Sequence, residues 1–129
     1  IAFPGGKRED EDKDITATAL REASEEIGLA SENVSVLGTL PCHETVTGFT
    51  VTPVIGRVLA PFDIRPEPGE VDEVFYVPFM HLMTQSNYQG ESRRWRDERR
   101  YYATVQYGSY YIGGATARIL RGIADRMAI

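Results

Sequence analysis

Glu22, Glu25 and Glu26 stand at spacings i, i+3 and i+4, which on an α-helix makes them neighbours on one face. Ile15, Ala19, Leu20, Ala23 and Ile27 cover the adjoining arc of roughly 140°, and Glu26 falls at the edge of that apolar stripe. Three like charges so close repel one another, and a carboxylate at the margin of a buried stripe is costly unless compensated. Arg21, one turn before Glu25, offsets part of this charge. A hard divalent cation resolves the rest. Mg²⁺ prefers carboxylate oxygens and leaves its remaining positions to water and phosphate oxygens. Since three glutamates are more often a solvated helix face, the surrounding residues have to decide.

The helix that would carry these groups is predicted over Ile15 to Ile27, with Asp14 as N-cap and Gly28 as the C′ glycine. Before it, Ile1 to Phe3 reads as the end of a strand broken by Pro4-Gly5-Gly6, followed by an acidic loop. An opening inside a strand implies that upstream residues, including at least one strand, belong to the same domain. Beyond the helix, Val34 to Leu37 suggests a short strand after a Ser31-Glu32-Asn33 turn. Thr45 to Leu59 reads as a long or broken strand or a hairpin, Pro61 to Gly69 as a loop, and Val71 to Val77 as a further strand. Pro78 to Thr84 reads as a short helix and Gln85 to Arg100 as a long polar loop. Tyr101 to Ile112 reads as a hairpin turning near Gly108, and Ala115 to Met127 as an amphipathic helix. Strands interleaved with two main helices predict one α/β domain over 1–129.

Charge and composition narrow the partners. A net charge of −5 argues against nucleic acid. No apolar run approaches the roughly 20 residues that span a bilayer. One cysteine, Cys42, excludes an internal disulfide and points to a reducing, cytoplasmic setting. Five acids between Glu9 and Asp14 contrast with five arginines between Arg93 and Arg100. An acidic pole and a basic pole fit a cation and an anionic small molecule.

The stretch from Gly6 to Leu29 resembles the Nudix signature: a glycine, a carboxylate six residues on, then Arg-Glu-apolar-x-Glu-Glu-x-Gly-apolar. Arg21-Glu22-Ala23-Ser24-Glu25-Glu26-Ile27-Gly28-Leu29 matches the second half at every specified position. Asp12 stands where the family usually has glutamate, and eight residues rather than the common seven separate it from Arg21. Phe3-Pro4-Gly5-Gly6-Lys7, Asp12 and Thr18-Ala19-Leu20-Arg21-Glu22 are similar to the coenzyme A pyrophosphatase branch. So are Thr45 to Phe49, Val51 to Val54, Glu70 to Phe75 and Gly114 to Leu120. Two features depart from it: the branch's upstream basic segment does not occur in these residues, and Ile112-Gly113 stands where Ile-Trp is expected.

The resemblance implies a Nudix α/β/α sandwich with a mixed β-sheet. It implies Mg²⁺ or Mn²⁺ held mainly by Glu22 and Glu26, with Glu25 close by and the Gly6 carbonyl and Asp12 contributing. Arg21 would orient a glutamate rather than touch substrate. The reaction implied is hydrolysis of the diphosphate bond of a nucleoside-diphosphate-linked small molecule. A phosphate diester resists hydroxide because its own negative charge repels it, so a held cation and a nearby carboxylate base are what such chemistry needs. Glu25 is the first candidate for that base and Glu73 the second, against a reading of Glu73 as a solvated strand-start residue. For coenzyme A the products would be 4′-phosphopantetheine and adenosine 3′,5′-bisphosphate. Its 3′-phosphate would require cations, for which Arg93, Arg94 and Arg96, with Arg99 and Arg100, are the dense supply. Trp95, Tyr101 and Tyr102 could stack an adenine or belong to the core; His43 and His81 have no partners at metal spacing. ADP-ribose, NADH and dinucleoside polyphosphates are the alternative substrates, and a non-catalytic binding module is the alternative of another class. Oligomeric state stays open, a homodimer included.

Overall fold

The computed structural model describes residues 1–95 and 98–128, with side chains for 1–90 and 102–128. The fold divides into two compact units, Phe3–Phe75 and Ile1–Ala2 with Tyr76–Ile129. Each is built around its own helix.

In the unit Phe3–Phe75, helix α1 spans Ile15–Ile27. Its start is fixed by Asp14, whose side chain accepts from the Ala17 N–H at 2.8 Å, satisfying a donor that the first turn leaves unpaired. Its end is fixed by Gly28, which adopts the left-handed conformation at φ 76° while its N–H and that of Leu29 donate back to Ser24 and Ala23. A 3-10 turn, Ser31–Asn33, leads into strand β1, Val34–Thr39. Strands β2 (His43–Glu44) and β3 (Thr50–Val51) form a small hairpin, and β4 (Val54–Val58) pairs antiparallel with β1. Thus Thr45 to Leu59 is a broken strand, interrupted beside Pro53. The Asn33 amide bridges both backbone groups of Ala60 and ties the open end of the β1–β4 pair.

The loop after β4 runs back along the end of α1. The N–H groups of Arg65 and Glu67 each donate at 2.9 Å, to the carbonyls of Ile27 and Glu26. These are helix-terminal carbonyls that α1 itself leaves unpaired.

In the second unit, α2 (Phe79–Met83) precedes a three-stranded antiparallel meander of β5 (Tyr88–Trp95), β6 (Glu98–Tyr107) and β7 (Tyr110–Ile112). Helix α3, Gly114–Met127, packs on β6. Val105 and Ile112 from the sheet, with Ala117, Ile119, Leu120 and Ala124 from α3, make its buried core. Ala117 and Ala124 are fully buried, so the helix backbone approaches the sheet closely, and Ile119 and Leu120 each add about 1.5–3 kcal/mol of burial. His81 in α2 is hydrogen-bonded through Nε2 to the Gln106 carbonyl at 2.7 Å, and the Tyr88 hydroxyl donates to the Leu82 carbonyl.

The chain is α/β as expected, and the strand pairs among the described residues are antiparallel. Three expectations need correction. Ile1 to Phe3 is not in a strand: the described backbone offers it no ladder, and the Ile1 carbonyl accepts from the Thr116 hydroxyl at 3.4 Å. Val71 to Val77 forms no strand either; a turn in which the Glu70 and Val71 N–H groups both donate to Glu67 leads into irregular backbone. Gln85 to Arg100 is not a loop. After a 3-10 turn at Gln85–Asn87 it supplies all of β5 and the start of β6, in register from Tyr88↔Val105 to Trp95↔Glu98. Pairing with the next strand, not the local run of polar residues, sets its conformation. No helix of the described residues is long and apolar enough to cross a membrane.

Candidate active site

The Gly5-Gly6 turn meets the acidic face of α1. A β-carbon built on Gly6 would lie 2.6 Å from Cδ of Glu22, so only glycine admits the carboxyl group there. Glu26, one turn on, lies close enough to the Gly5 N–H and to the Glu22 carboxyl for both to act on its charge. Burial raises the Glu26 pKa above the ordinary carboxylate value, and the Glu22 carboxyl and the negative charges of Glu22 and Glu67 push the same way against the Gly5 N–H. The two carboxylates expected as metal ligands are therefore brought together at the glycine turn.

Glu25 shares the helix face but stands in solvent, its side chain 49% exposed against 16% for Glu22. Arg21 joins them. Its Nη1 lies 3.1 Å from Glu22 Oε1 and 3.2 Å from Glu25 Oε2. Its Nε and Nη2 form a bidentate pair with Asp12 at 3.0 and 3.1 Å, and Nη2 also donates to the Lys7 carbonyl at 3.1 Å. Each N–H of the guanidinium thus has an acceptor within the chain, and Arg21 is spent on orienting carboxylates.

Asp12 is buried, and both its oxygens are engaged: Oδ1 by Arg21, and Oδ2 by Arg21, the Thr18 hydroxyl at 2.9 Å and the Glu9 N–H at 2.9 Å. The Arg21 hydrogen bonds, then the Glu9 N–H, hold its carboxyl well below the usual range against the opposing effect of burial. In this arrangement Asp12 braces Arg21. Arg8, hydrogen-bonded to the Asp12 and Lys13 carbonyls, stiffens the same loop.

The remaining candidates are Glu73 and the arginines. Glu73 is an exposed residue of the irregular backbone before α2, and the contacts described around the α1 glutamates do not include it. Arg93 and Arg94 lie on β5 opposite Arg100 and Arg99 of β6; their side chains, and Arg96 altogether, lie outside the described residues. Two neighbours escaped the sequence reading. Glu67 sits in what reads as a proline-rich spacer, yet its charge acts on Glu26. Thr18 carries a hydroxyl in the middle of a helix, a position that seldom favours one, and that was the available signal. The Lys7 ammonium lies 5.5 Å over the Phe49 ring, tying the glycine turn to the β2–β3 hairpin.

A family model described as NUDIX domain matches residues 1–99. Relatives named "Uncharacterized Nudix hydrolase NudL" match almost end to end. One from Pectobacterium atrosepticum is 37% identical over 124 residues, covering 96% of this chain and 65% of its own length. One from Photorhabdus laumondii is 36% identical over 131 residues, covering 100% of this chain and 69% of its own. One from Escherichia coli (strain SMS-3-5 / SECEC) is 35% identical over 130 residues, covering 100% and 67%. The chain spans about two thirds of the length of the curated relatives it matches. A family model over most of the chain and relatives this similar, matched through the glutamate helix and the glycine turn, show that the chain belongs to the Nudix family.

Proposed function

We propose that this chain is the catalytic domain of a divalent-metal pyrophosphatase that hydrolyses the diphosphate bond of coenzyme A or its derivatives. The observation that carries the hydrolase reading is the meeting of the Glu22 and Glu26 carboxyls at a turn where a β-carbon would collide with Glu22. Two adjoining carboxylates, one with its charged form disfavoured by burial, are a donor set that a hard cation satisfies. Among the described residues no group of three or more His, Cys, Asp or Glu side chains forms a ready metal cage. That fits Mg²⁺, which commonly takes one or two carboxylates and fills its remaining positions with water and substrate phosphate. Glu22 and Glu26, with the Gly6 carbonyl, would hold Mg²⁺ or Mn²⁺. Such an ion supplies charge neutralisation on the diphosphate and a more acidic water.

The residues do the rest. Water adds to one phosphorus as its bond to the bridging oxygen breaks, and the departing phosphate carries away the electron pair. Glu25, exposed and braced by Arg21, accepts the proton from that water; Glu73 is the second candidate. Arg21 keeps Glu22 and Glu25 apart and oriented. Asp12 would act through Arg21, with a contribution to the metal as the other role the resemblance implies.

The coenzyme A assignment rests on the flanking motifs, from Phe3-Pro4-Gly5-Gly6-Lys7 to the Gly114 to Leu120 helix start, and on Arg93, Arg94 and Arg96 as the source of charge for the 3′-phosphate. The test is turnover with Mg²⁺ or Mn²⁺ and with chelator, against coenzyme A, ADP-ribose, NADH and diadenosine polyphosphates. Metal-dependent release of 4′-phosphopantetheine is expected. A preference for ADP-ribose or a dinucleotide replaces the substrate and keeps the chemistry. Absence of turnover on the whole panel makes the domain a binding module.

A further inference from the structure

We propose that Thr18 is a positioning residue: its hydroxyl holds Asp12, and through Asp12 it fixes the Arg21 guanidinium that braces Glu22 and Glu25. The consequence for turnover rests on the function proposed above; the bracing itself does not. Thr18 and Asp12 are 5% and 6% exposed, so their mutual contact at 2.9 Å is shielded from water. A carboxylate held only by Arg21 could still rotate about its side-chain bond and carry the guanidinium with it. Here two further donors, the Thr18 hydroxyl and the Glu9 N–H, converge on the same oxygen at 2.9 Å and fix the carboxylate plane.

Thr18 has one hydroxyl proton and two acceptors within reach, the other being the Asp14 carbonyl at 3.3 Å. The shorter, charge-assisted bond to Asp12 prevails over back-bonding to the preceding turn. Threonine in a helix interior gives up side-chain freedom that alanine would not, so the hydroxyl has to be needed for something else. Its position fits the task, because residues 18, 21, 22 and 25 follow one another at helical spacing. The same contact accounts for a departure from the family pattern. Asp12 has a shorter side chain than glutamate and lies one residue further from Arg21 in sequence. The turn closed by the Asp12 N–H on the Glu9 carbonyl at 3.0 Å returns it to α1, where Thr18 receives it.

The test compares Thr18→Val, close to threonine in shape but without a hydroxyl, with Thr18→Ser, which keeps it. The first readout needs neither metal nor substrate: exchange of the Arg21 Nε–H proton followed by nuclear magnetic resonance. The second is Mn²⁺ affinity from electron paramagnetic resonance titration, and the third is kcat and KM. Thr18→Val is expected to lose Arg21 Nε–H protection, bind Mn²⁺ about 10-fold more weakly and lower kcat about 10- to 100-fold, as removal of a ligand's hydrogen-bonded support does. Thr18→Ser should restore all three. If Thr18→Val does not fold by circular dichroism, Thr18→Ala carries the same comparison. Unchanged Arg21 protection and unchanged kcat in a folded hydroxyl-less variant would overturn the proposal, whatever its melting temperature. A wild-type protein without turnover would count against the proposed function alone, because the Arg21 readout still decides the role of Thr18.

Discussion

The Glu22 carboxyl fills the space from which a side chain at position 6 would have to grow, with its Cδ 2.6 Å from the β-carbon that Gly6 lacks. The obstructing group is the far end of a flexible side chain, and Gly6 is not among the glycines with positive φ. Alanine at position 6 therefore displaces Glu22 without straining the backbone. Gly6→Ala should leave stability unchanged or raise it by up to about 1 kcal/mol, through the restricted unfolded chain. If Glu22 holds the metal as proposed, displacing it by about 1 Å should cost about 10²-fold in kcat/KM. Thermal melts and steady-state kinetics on the same preparation check this, and a fully active variant would remove the glycine turn from the site.

Glu26 sets stability against function. Its pKa is raised above 4.5 in the folded protein, chiefly by burial and then by Glu22. The folded state thus binds the Glu26 proton more tightly than the unfolded chain, so stability falls as pH rises from about the ordinary carboxylate value through the raised one. Glu26→Gln removes that penalty. In chelator, its melting temperature should equal or exceed wild type at pH 7, and the difference should close as pH falls below the ordinary carboxylate range. Metal-dependent turnover should fall by about 10²-fold or more, because bound metal supplies several kcal/mol of transition-state stabilisation. Full activity in Glu26→Gln would refute the ligand assignment.

Asp12 shows the opposite sign. Arg21 and the Glu9 N–H lower its folded pKa below 3.8, so its contribution to stability is present above that value and is lost only as pH falls through the depressed one. Asp12→Asn should melt below wild type across the neutral range, with the gap narrowing only in strong acid. It should also lose about 10- to 100-fold in turnover, as loss of a ligand-supporting contact does. A melting curve displaced equally at all pH values would mean that charge is not what Asp12 contributes.

What the sequence conveys follows the range of the forces. Helix α1 is announced by local chemistry, with Asp14 bonding its own third residue and Gly28 accepting a left-handed turn, and both ends fall where expected. The face shared by Glu22, Glu25 and Glu26 follows from helical spacing alone. Strand β5 is different. Its residues read as a polar loop because their own composition does not make them extended; the ladder with β6 does. Val71 to Val77 fails for the mirror reason: its β-branched residues favour extended backbone, but no strand among the described residues forms a ladder with it. Thr18 and Glu67 become visible only once the loops before and after α1 fold back on it, and no spacing rule connects them to Glu22 or Glu26.

On the proposed function, the arginines of the β5–β6 segment would read the substrate. Coenzyme A differs from ADP-like substrates by its 3′-phosphate, a dianion that must be desolvated on binding. Each charge-assisted hydrogen bond to it contributes roughly 1.5–3 kcal/mol, so two arginines distinguish it from the dephospho form by about 10²-fold or more. Arg93 and Arg94 are on a paired strand, not in a free loop, with Arg100 and Arg99 opposite them in register. Neutralising Arg93, Arg94 and Arg96 together should raise KM for coenzyme A by at least about 10-fold, the loss of a single such contact, with KM for dephospho-coenzyme A little changed. Because none of these residues belongs to the Glu22, Glu25 and Glu26 cluster, kcat on dephospho-coenzyme A should be preserved, which separates lost recognition from a damaged fold. Equal KM increases on both substrates would mean that these arginines do not read the 3′-phosphate.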